Sequence, residues 1–364
     1  MRRNWLLKEF IFAFDYPTLT HMNRRSVLII YTGGTIGMIQ NHETGALESF
    51  NFEHLLSHVP EIKQFNLQID AMAFEHPMDS SDMTPAEWKK LVEIISENYE
   101  KYDGFVILHG TDTMAFTSSA LSFMLEGLNK PVILTGSQLP IGALRTDGKS
   151  NLITAIEIAA AKKDDGTPMV SEVCVLFHDK LFRGNRVTKI DSDNFAAFDS
   201  PNYPPLATLG TEIKYNLPII GEYKPNAVLV THEDMDTHII IFSLFPGLRP
   251  EIVENVLASP DLKGILFRTF GSGNAPKNER LIETLKSAVS SGKVIVNISQ
   301  CLSGYVHQER YGAGIQLVDA GVVSGRDITL EAALTKLMFL FGSGLPTEKV
   351  LQRMDESLAG EVTV

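Results

Sequence analysis

Val27-Leu28-Ile29-Ile30-Tyr31 runs directly into Thr32-Gly33-Gly34-Thr35-Ile36-Gly37. An apolar run closed by glycines reads as a strand buried on both faces, the form strands take in a parallel sheet. Gly33 and Gly34 allow a sharp turn and a close backbone approach. In an open α/β sheet, ligands sit beyond the carboxyl ends of the strands. Thr32 and Thr35 are therefore hydroxyls placed where such folds do chemistry. An ordinary glycine turn explains the same residues equally well, since short glycine motifs recur by chance.

The same grammar repeats downstream. Residues 67–74 alternate like a strand and lead into Met78-Asp79-Ser80-Ser81-Asp82-Met83-Thr84-Pro85-Ala86-Glu87. Thr84 is a natural N-cap, Pro85 suits the first helical position and Glu87 closes a capping box, so a helix is predicted to about Tyr99. The cap leaves Asp79-Ser80-Ser81-Asp82 unexplained, and a solvated turn is the simple account of them. Residues 103–108 form a buried strand that ends in His109-Gly110-Thr111-Asp112-Thr113, with a helix over 114–125. Helix capping accounts for one of Thr111, Asp112 and Thr113, hardly for all three.

Strands over 131–135 and 172–177 flank a helix over 149–161. The basic segment Arg183-Gly184-Asn185-Arg186-Val187-Thr188-Lys189 follows, for which a solvated hairpin is the plain reading. Residues 51–58 read as a short helix, and the polar stretch Met38 to Ser49 as a mobile lid. After Pro201, Pro204 and Pro205 the chain is irregular to about Asp236. A second unit opens at His238, with helices over 250–258, 278–290, 329–340 and 347–358 and strands over 263–268 and 293–298. The expected fold is α/β, two domains with mainly parallel sheets, the N-terminal one larger. The expected bounds are 22–212 and 238–364, joined by a linker over 213–237 and preceded by an extension over 1–21.

The 364 residues fit two such domains. A net charge of −12 repels phosphate backbones, so nucleic acid is not an expected partner. Cys174 and Cys301 form no C-x-x-C pair, which suits a reducing, cytoplasmic setting. The ten histidines show no metal-ligand spacing, so neither metal nor cofactor is expected. No apolar run reaches membrane-spanning length. Met1-Arg2-Arg3 before an apolar stretch imitates a signal peptide, but Lys8 and Glu9 interrupt it and no small-x-small site follows. Met22 directly precedes the first strand. It reads as the start, or residues 1–21 as an appended segment outside the core.

Amide hydrolysis without a metal needs a nucleophile, a proton acceptor, oxyanion donors and substrate anchors. Thr35, Thr111 with Asp112, and Lys189 lie at expected strand ends or hairpins and supply such groups. The motifs 32–37, 109–113 and 183–189 resemble those of the bacterial-type L-asparaginases. Residues 78–85 and Gly271-Ser272-Gly273-Asn274-Ala275-Pro276 resemble the cytoplasmic type I subgroup. The resemblance spans about 22–364.

It implies that Thr35 attacks the side-chain amide of L-asparagine to give a β-aspartyl ester, releasing ammonia and then aspartate. Thr111, Lys189 and Asp112 would form a second hydrogen-bonded triad, with Asp112 also on the substrate ammonium. Asp79, Ser80 and Ser81 would hold the substrate α-amino and α-carboxylate groups. Many members carry a tyrosine in the loop after the first threonine; Thr44-Gly45-Ala46-Leu47-Glu48 has none. Tyr311, supplied by a neighbouring subunit of a dimer or tetramer, matches the position that substitutes in some relatives, and a packed interface tyrosine accounts for it equally.

Arg268, Ser299 and Cys301 match an allosteric asparagine site, against a surface arginine and a buried cysteine as the plain account. Two rival readings share the fold: a catalytically weak amino-acid sensor and an amidotransferase-type subunit. A dinucleotide site fits poorly, because Gly33, Gly34 and Gly37 do not make G-x-G-x-x-G.

Overall fold

The computed structural model describes residues 24–40, 47–49, 58–310 and 312–363. The expected extension over 1–21, the helix over 51–58 apart from its last residue, and the middle of the lid, 41–46, lie outside them. The chain divides into two compact units. The first runs to Ser200 and takes in Pro205–Thr231; the second comprises Pro201–Pro204 and the chain from His232 onward.

In the first unit the elements are β1 Ser26–Gly33, β2 Met38–Gln40, β3 Leu47–Ser49, β4 Gln68–Met78, α1 Pro85–Glu97, β5 Gly104–Leu108, α2 Met114–Met124, β6 Leu125–Glu126, β7 Val132–Thr135, α3 Gly148–Ala160, β8 Val173–Phe177, β9 Lys180–Arg183, β10 Thr188–Lys189, β11 Phe198–Asp199, β12 Ala207–Leu209, β13 Ile213–Tyr215 and β14 Val230–Thr231. Eight of the strands form one sheet in the order β13-β12-β9-β8-β7-β5-β1-β4. The run from β8 to β4 is parallel, and β9, β12 and β13 extend it antiparallel.

Ile29 pairs with Val106 on one side and Ala71 on the other. Val27 to Tyr31 are all buried, as an apolar run in a central parallel strand requires. Helix α1 starts with the expected capping box: Thr84 accepts from Ala86 N–H and Glu87 returns to the Thr84 N–H. Such a cap is worth about 1 kcal/mol, and it fixes where the chain leaves β4.

Part of the expected linker belongs to this sheet. β13 pairs with β12, and β14 pairs with β6. The Arg183 guanidinium holds Glu172 at 2.5 Å and donates to the Ile219 carbonyl at 2.8 Å, while Gly221 N–H donates to Glu172 at 2.7 Å. These long-range bonds, invisible in local composition, order a proline-rich stretch.

The second unit contains β15 Ile239–Ser243, α4 Pro250–Leu257, β16 Gly264–Thr269, α5 Glu279–Ser290, β17 Val294–Ser299, α6 Gly312–Asp319, β18 Val323–Ser324, α7 Leu330–Gly342 and α8 Thr347–Asp355. Its sheet, β15-β16-β17-β18, is parallel throughout. Leu244, Val253, Ile265, Phe267, Leu285 and Ile295 lie at its core. α6 and β18 carry no clear sequence signal: Gly312 and Gly314 break the helical pattern, and β18 is only a dipeptide.

The same unit holds a fully buried ion pair. Lys336 Nζ lies 2.6 Å from Glu361, donates to the carbonyls of Met354 and Glu356, and Glu361 accepts from the N–H groups of Leu358 and Ala359.

Candidate active site

The carboxyl ends of β1, β4 and β5 meet through glycines. Gly33 and Gly34 have φ of 130° and 84°, backbone values that favour glycine. A Cβ on Gly33 would stand 2.1 Å from the Met78 carbonyl oxygen, and one on Gly34 would stand 2.5 Å from Gly110 Cα. Gly34 N–H donates to the Met78 carbonyl at 3.1 Å. A Cβ on Gly110 would in turn stand 2.6 Å from Ser80 Oγ. The backbones before Thr35 and before Thr111 therefore touch, with the 79–82 turn against them.

Thr35 begins a short 3₁₀ turn, Thr35–Gly37, and is half-buried. The buried Tyr31 hydroxyl lies under this turn, where a Cβ on Gly37 would be 2.0 Å from it. Burial lifts the Tyr31 phenol to about 12, so it stays protonated at neutral pH. Thr32 differs from its neighbour Thr35. Its side chain is buried and donates to the Leu108 carbonyl at 2.9 Å, stitching β1 to β5.

At the end of β5 no side chain caps α2. The three polar residues there have other work. Lys189 Nζ, on β10, donates to Thr111 Oγ1 at 2.8 Å and lies 2.6 Å from Asp112 Oδ1. Thr113 Oγ1 donates to the Ser80 carbonyl at 2.7 Å, tying the 109–113 segment to the 79–82 turn. Thr111 Oγ1 also lies 3.5 Å from Gln138 Oε1, and the Gln138 and Leu139 N–H groups are held by Asp147.

In the 79–82 turn, Asp79 accepts from the Ser81 N–H at 2.9 Å. Asp79 and Ser81 are exposed, whereas Ser80 is buried. The structure thus gathers Thr35, Asp79, Ser80, Ser81, Thr111, Asp112 and Lys189 at one edge of the first unit.

Gly110, Gln138 and Tyr31 are neighbours that the sequence reading did not single out. Gly110 sits inside a quoted motif, which was the only signal for it. Among the described residues no group of His, Cys, Asp and Glu could hold a metal ion, and no helix is long and apolar enough to cross a membrane.

Residues 26–220 match the family of asparaginase N-terminal domains, and residues 238–354 match the glutaminase/asparaginase C-terminal domain. The chain belongs to the asparaginase family.

Among asparaginases, L-asparaginase 1 of Escherichia coli K12 is 42% identical over 348 residues, 94% of this chain and 99% of that one. The crystal structure of L-asparaginase I from Vibrio cholerae superposes with a TM-score of 0.86 at 42% identity, covering 94% of this chain and all of that one. A mouse protein named 60 kDa lysophospholipase is 40% identical over 364 residues, 93% of this chain but 63% of its own length. The two-domain α/β fold of mainly parallel sheets is that of the asparaginase structures.

The remaining residues that the asparaginase resemblance points to lie in the second unit. Arg268 and Ser299 sit at the ends of adjacent strands, where Thr269 pairs with Ser299. Ser299 Oγ donates to the Gly271 carbonyl at 2.7 Å and accepts from the Cys301 N–H at 2.9 Å. Cys301 is exposed, not buried. Arg268 Nε is buried without a hydrogen-bond partner. Tyr311 lies outside the described residues.

Proposed function

We propose that the chain is an L-asparagine amidohydrolase, cleaving asparagine to aspartate and ammonia. The observation that carries the reading is Lys189 on Thr111 and Asp112, beside a loop whose backbone touches the one presenting Thr35. Thr35 Oγ attacks the carboxamide carbon. Thr111 Oγ1 takes the proton that Thr35 loses as its own proton passes to the carboxamide nitrogen, which leaves as ammonia. Water then releases aspartate from the β-aspartyl ester by the reverse route. An ammonium that donates to Thr111 cannot itself take that proton. Lys189 instead leaves the Thr111 proton directed elsewhere and favours negative charge developing on its oxygen. Asp112 offers a carboxylate to Lys189 and to a substrate ammonium. Asp79 and Ser81, exposed on the 79–82 turn, suit the α-amino and α-carboxylate groups.

Assay of the purified protein for ammonia and aspartate, with asparagine and glutamine over a wide concentration range, tests this. Asparagine turnover that Thr35→Ala abolishes is expected. Turnover undiminished in Thr35→Ala would overturn it.

The same reading makes the protein a cytoplasmic homodimer or tetramer, with Tyr311 of a neighbouring subunit reaching Thr35; full activity in Tyr311→Phe removes that role. The unpartnered Arg268 Nε supports a carboxylate-binding regulatory site with Ser299 and Cys301. Sigmoidal asparagine dependence that becomes hyperbolic in Arg268→Ala is expected, and a hyperbolic wild type sinks it.

A further inference from the structure

His109 is fully buried behind the second threonine and takes no part in the mechanism above. Its Nδ1 lies 2.7 Å from the carbonyl oxygen of Gly110, the peptide that leads into Thr111. Its Nε2 lies 2.9 Å from Thr117 Oγ1 on α2. Trp88 Nε1, on α1, donates to the same Thr117 hydroxyl at 3.0 Å.

Donor and acceptor chemistry constrains the directions of these bonds. An indole N–H only donates, so Thr117 accepts from Trp88 and has its own proton to give. A carbonyl oxygen only accepts, so the ring atom facing Gly110 carries hydrogen. The other tautomer would set two lone pairs against each other at 2.7 Å. The ring hydrogen therefore sits on Nδ1, and in the neutral ring Nε2 accepts from Thr117. Burial, which holds the imidazole down to about 4 against a smaller opposing effect of the Gly110 bond, agrees with a neutral ring.

We infer that Trp88, Thr117 and His109 form a one-way hydrogen-bond relay that orients the Gly110–Thr111 peptide, making His109 and Thr117 positioning residues for the reaction. The peptide is trans, so capture of its carbonyl by His109 turns the Thr111 N–H the opposite way. Gly110 has close neighbours: a Cβ on it would stand 2.6 Å from Ser80 Oγ, and a Cβ on Gly34 would stand 2.5 Å from its Cα. His109 N–H is itself fixed on the Thr135 carbonyl at 2.9 Å. The relay therefore runs from two helices to the residue that holds Lys189. This inference rests on Thr111 being part of the reaction centre.

The test is long-range ¹⁵N–¹H NMR of the imidazoles at neutral pH, with His109→Gln identifying the signals, alongside kinetics of three variants. Wild-type His109 is expected as the pure Nδ1–H tautomer. Thr117→Val, which keeps shape and removes the hydroxyl, leaves Nε2 without its donor, shifts the Nε2 resonance and lowers kcat by roughly 10- to 100-fold, the cost of small misplacements. KM changes much less, and Thr117→Ser restores both the Nε2 resonance and kcat.

An Nε2–H tautomer or an imidazolium in the wild type overturns the relay, and so does wild-type kcat in Thr117→Val. If that variant fails to fold, Trp88→Phe removes only the upstream donor, and an unchanged Nε2 resonance with unchanged kcat there overturns the relay as well. Thr111→Val separates the two readings. Full activity in it defeats the assignment of the reaction centre, whereas its inactivity beside an unaffected Thr117→Val defeats the relay alone.

Discussion

Lys189 Nζ donates to Thr111 Oγ1 at 2.8 Å, across 78 positions of chain, and spends a second N–H on Asp112. Removing the ammonium should strip Thr111 of its orientation and of its charge stabilisation. Lys189→Met is expected to lower kcat/KM by roughly 10²- to 10³-fold, the scale for losing one preorganised electrostatic donor. Asp112 is largely exposed, so the ion pair itself contributes little to folding, about 1 kcal/mol or less. Ammonia release and a denaturation midpoint measured together check both halves. A large stability loss with modest kinetics would contradict this division.

Gly34 and Gly166 have almost the same positive φ, 84° and 83°, yet only Gly34 is crowded, its would-be Cβ 2.5 Å from Gly110 Cα. Gly166→Ala should cost roughly 1 kcal/mol, the price of the left-handed backbone. Gly34→Ala adds a clash with main chain and should cost at least about 2–3 kcal/mol more, with loss of activity. Urea midpoints of the two variants check the difference.

The Lys336–Glu361 pair has no contact with solvent. Burial pushes the Lys336 ammonium below its ordinary range, and Glu361 pulls the other way. Lys336→Met strands the carboxylate, at a cost of about 3–5 kcal/mol. Changing both residues, Lys336→Met with Glu361→Leu, should recover much of that, because the desolvation cost goes with the charges. Denaturant unfolding monitored in the second unit gives the comparison.

His109 titrates at about 4 in the folded protein and near 6.5 when unfolded. Between those values the unfolded chain binds a proton that the native state refuses. Stability therefore rises with pH across this window, and is lost as pH falls from 6.5 towards 4, at about 1.4 kcal/mol per pH unit from this group. Asp236 loses its share only at lower pH. Its partial burial is outweighed by hydrogen bonds from Lys263 and His238, which hold it down to about 2. His109→Gln starts less stable and should lose less between pH 6.5 and pH 5, as urea midpoints at the two values will show.

Local pattern carried the strands and most helices. The run Val27–Tyr31 is apolar without alternation, which only a strand covered on both faces needs. The Thr84–Glu87 box marked the start of α1 to the residue, because an N-cap depends on neighbours three positions apart. Thr32 and Thr35 show where local reading stops. Both are threonines at one strand end, but the Thr32 hydroxyl is consumed by the Leu108 carbonyl. Nothing in the sequence between them encodes that partner. β13 and β14 were missed for the same reason, since their strand character comes from pairing with distant partners.

The amino-acid order by itself determined the alternation of buried strands and helices, the glycine turns at their ends and the stock of hydroxyls, carboxylates and one lysine that an amide-cleaving site needs. It did so because periodicity, caps and turns are short-range properties of the chain. Which of those side chains meet, and which way the His109 ring holds its proton, was decided by the packed sheet. A hydrogen bond requires approach to within about 3 Å, and only the folded backbone brings residues so far apart in sequence to that distance.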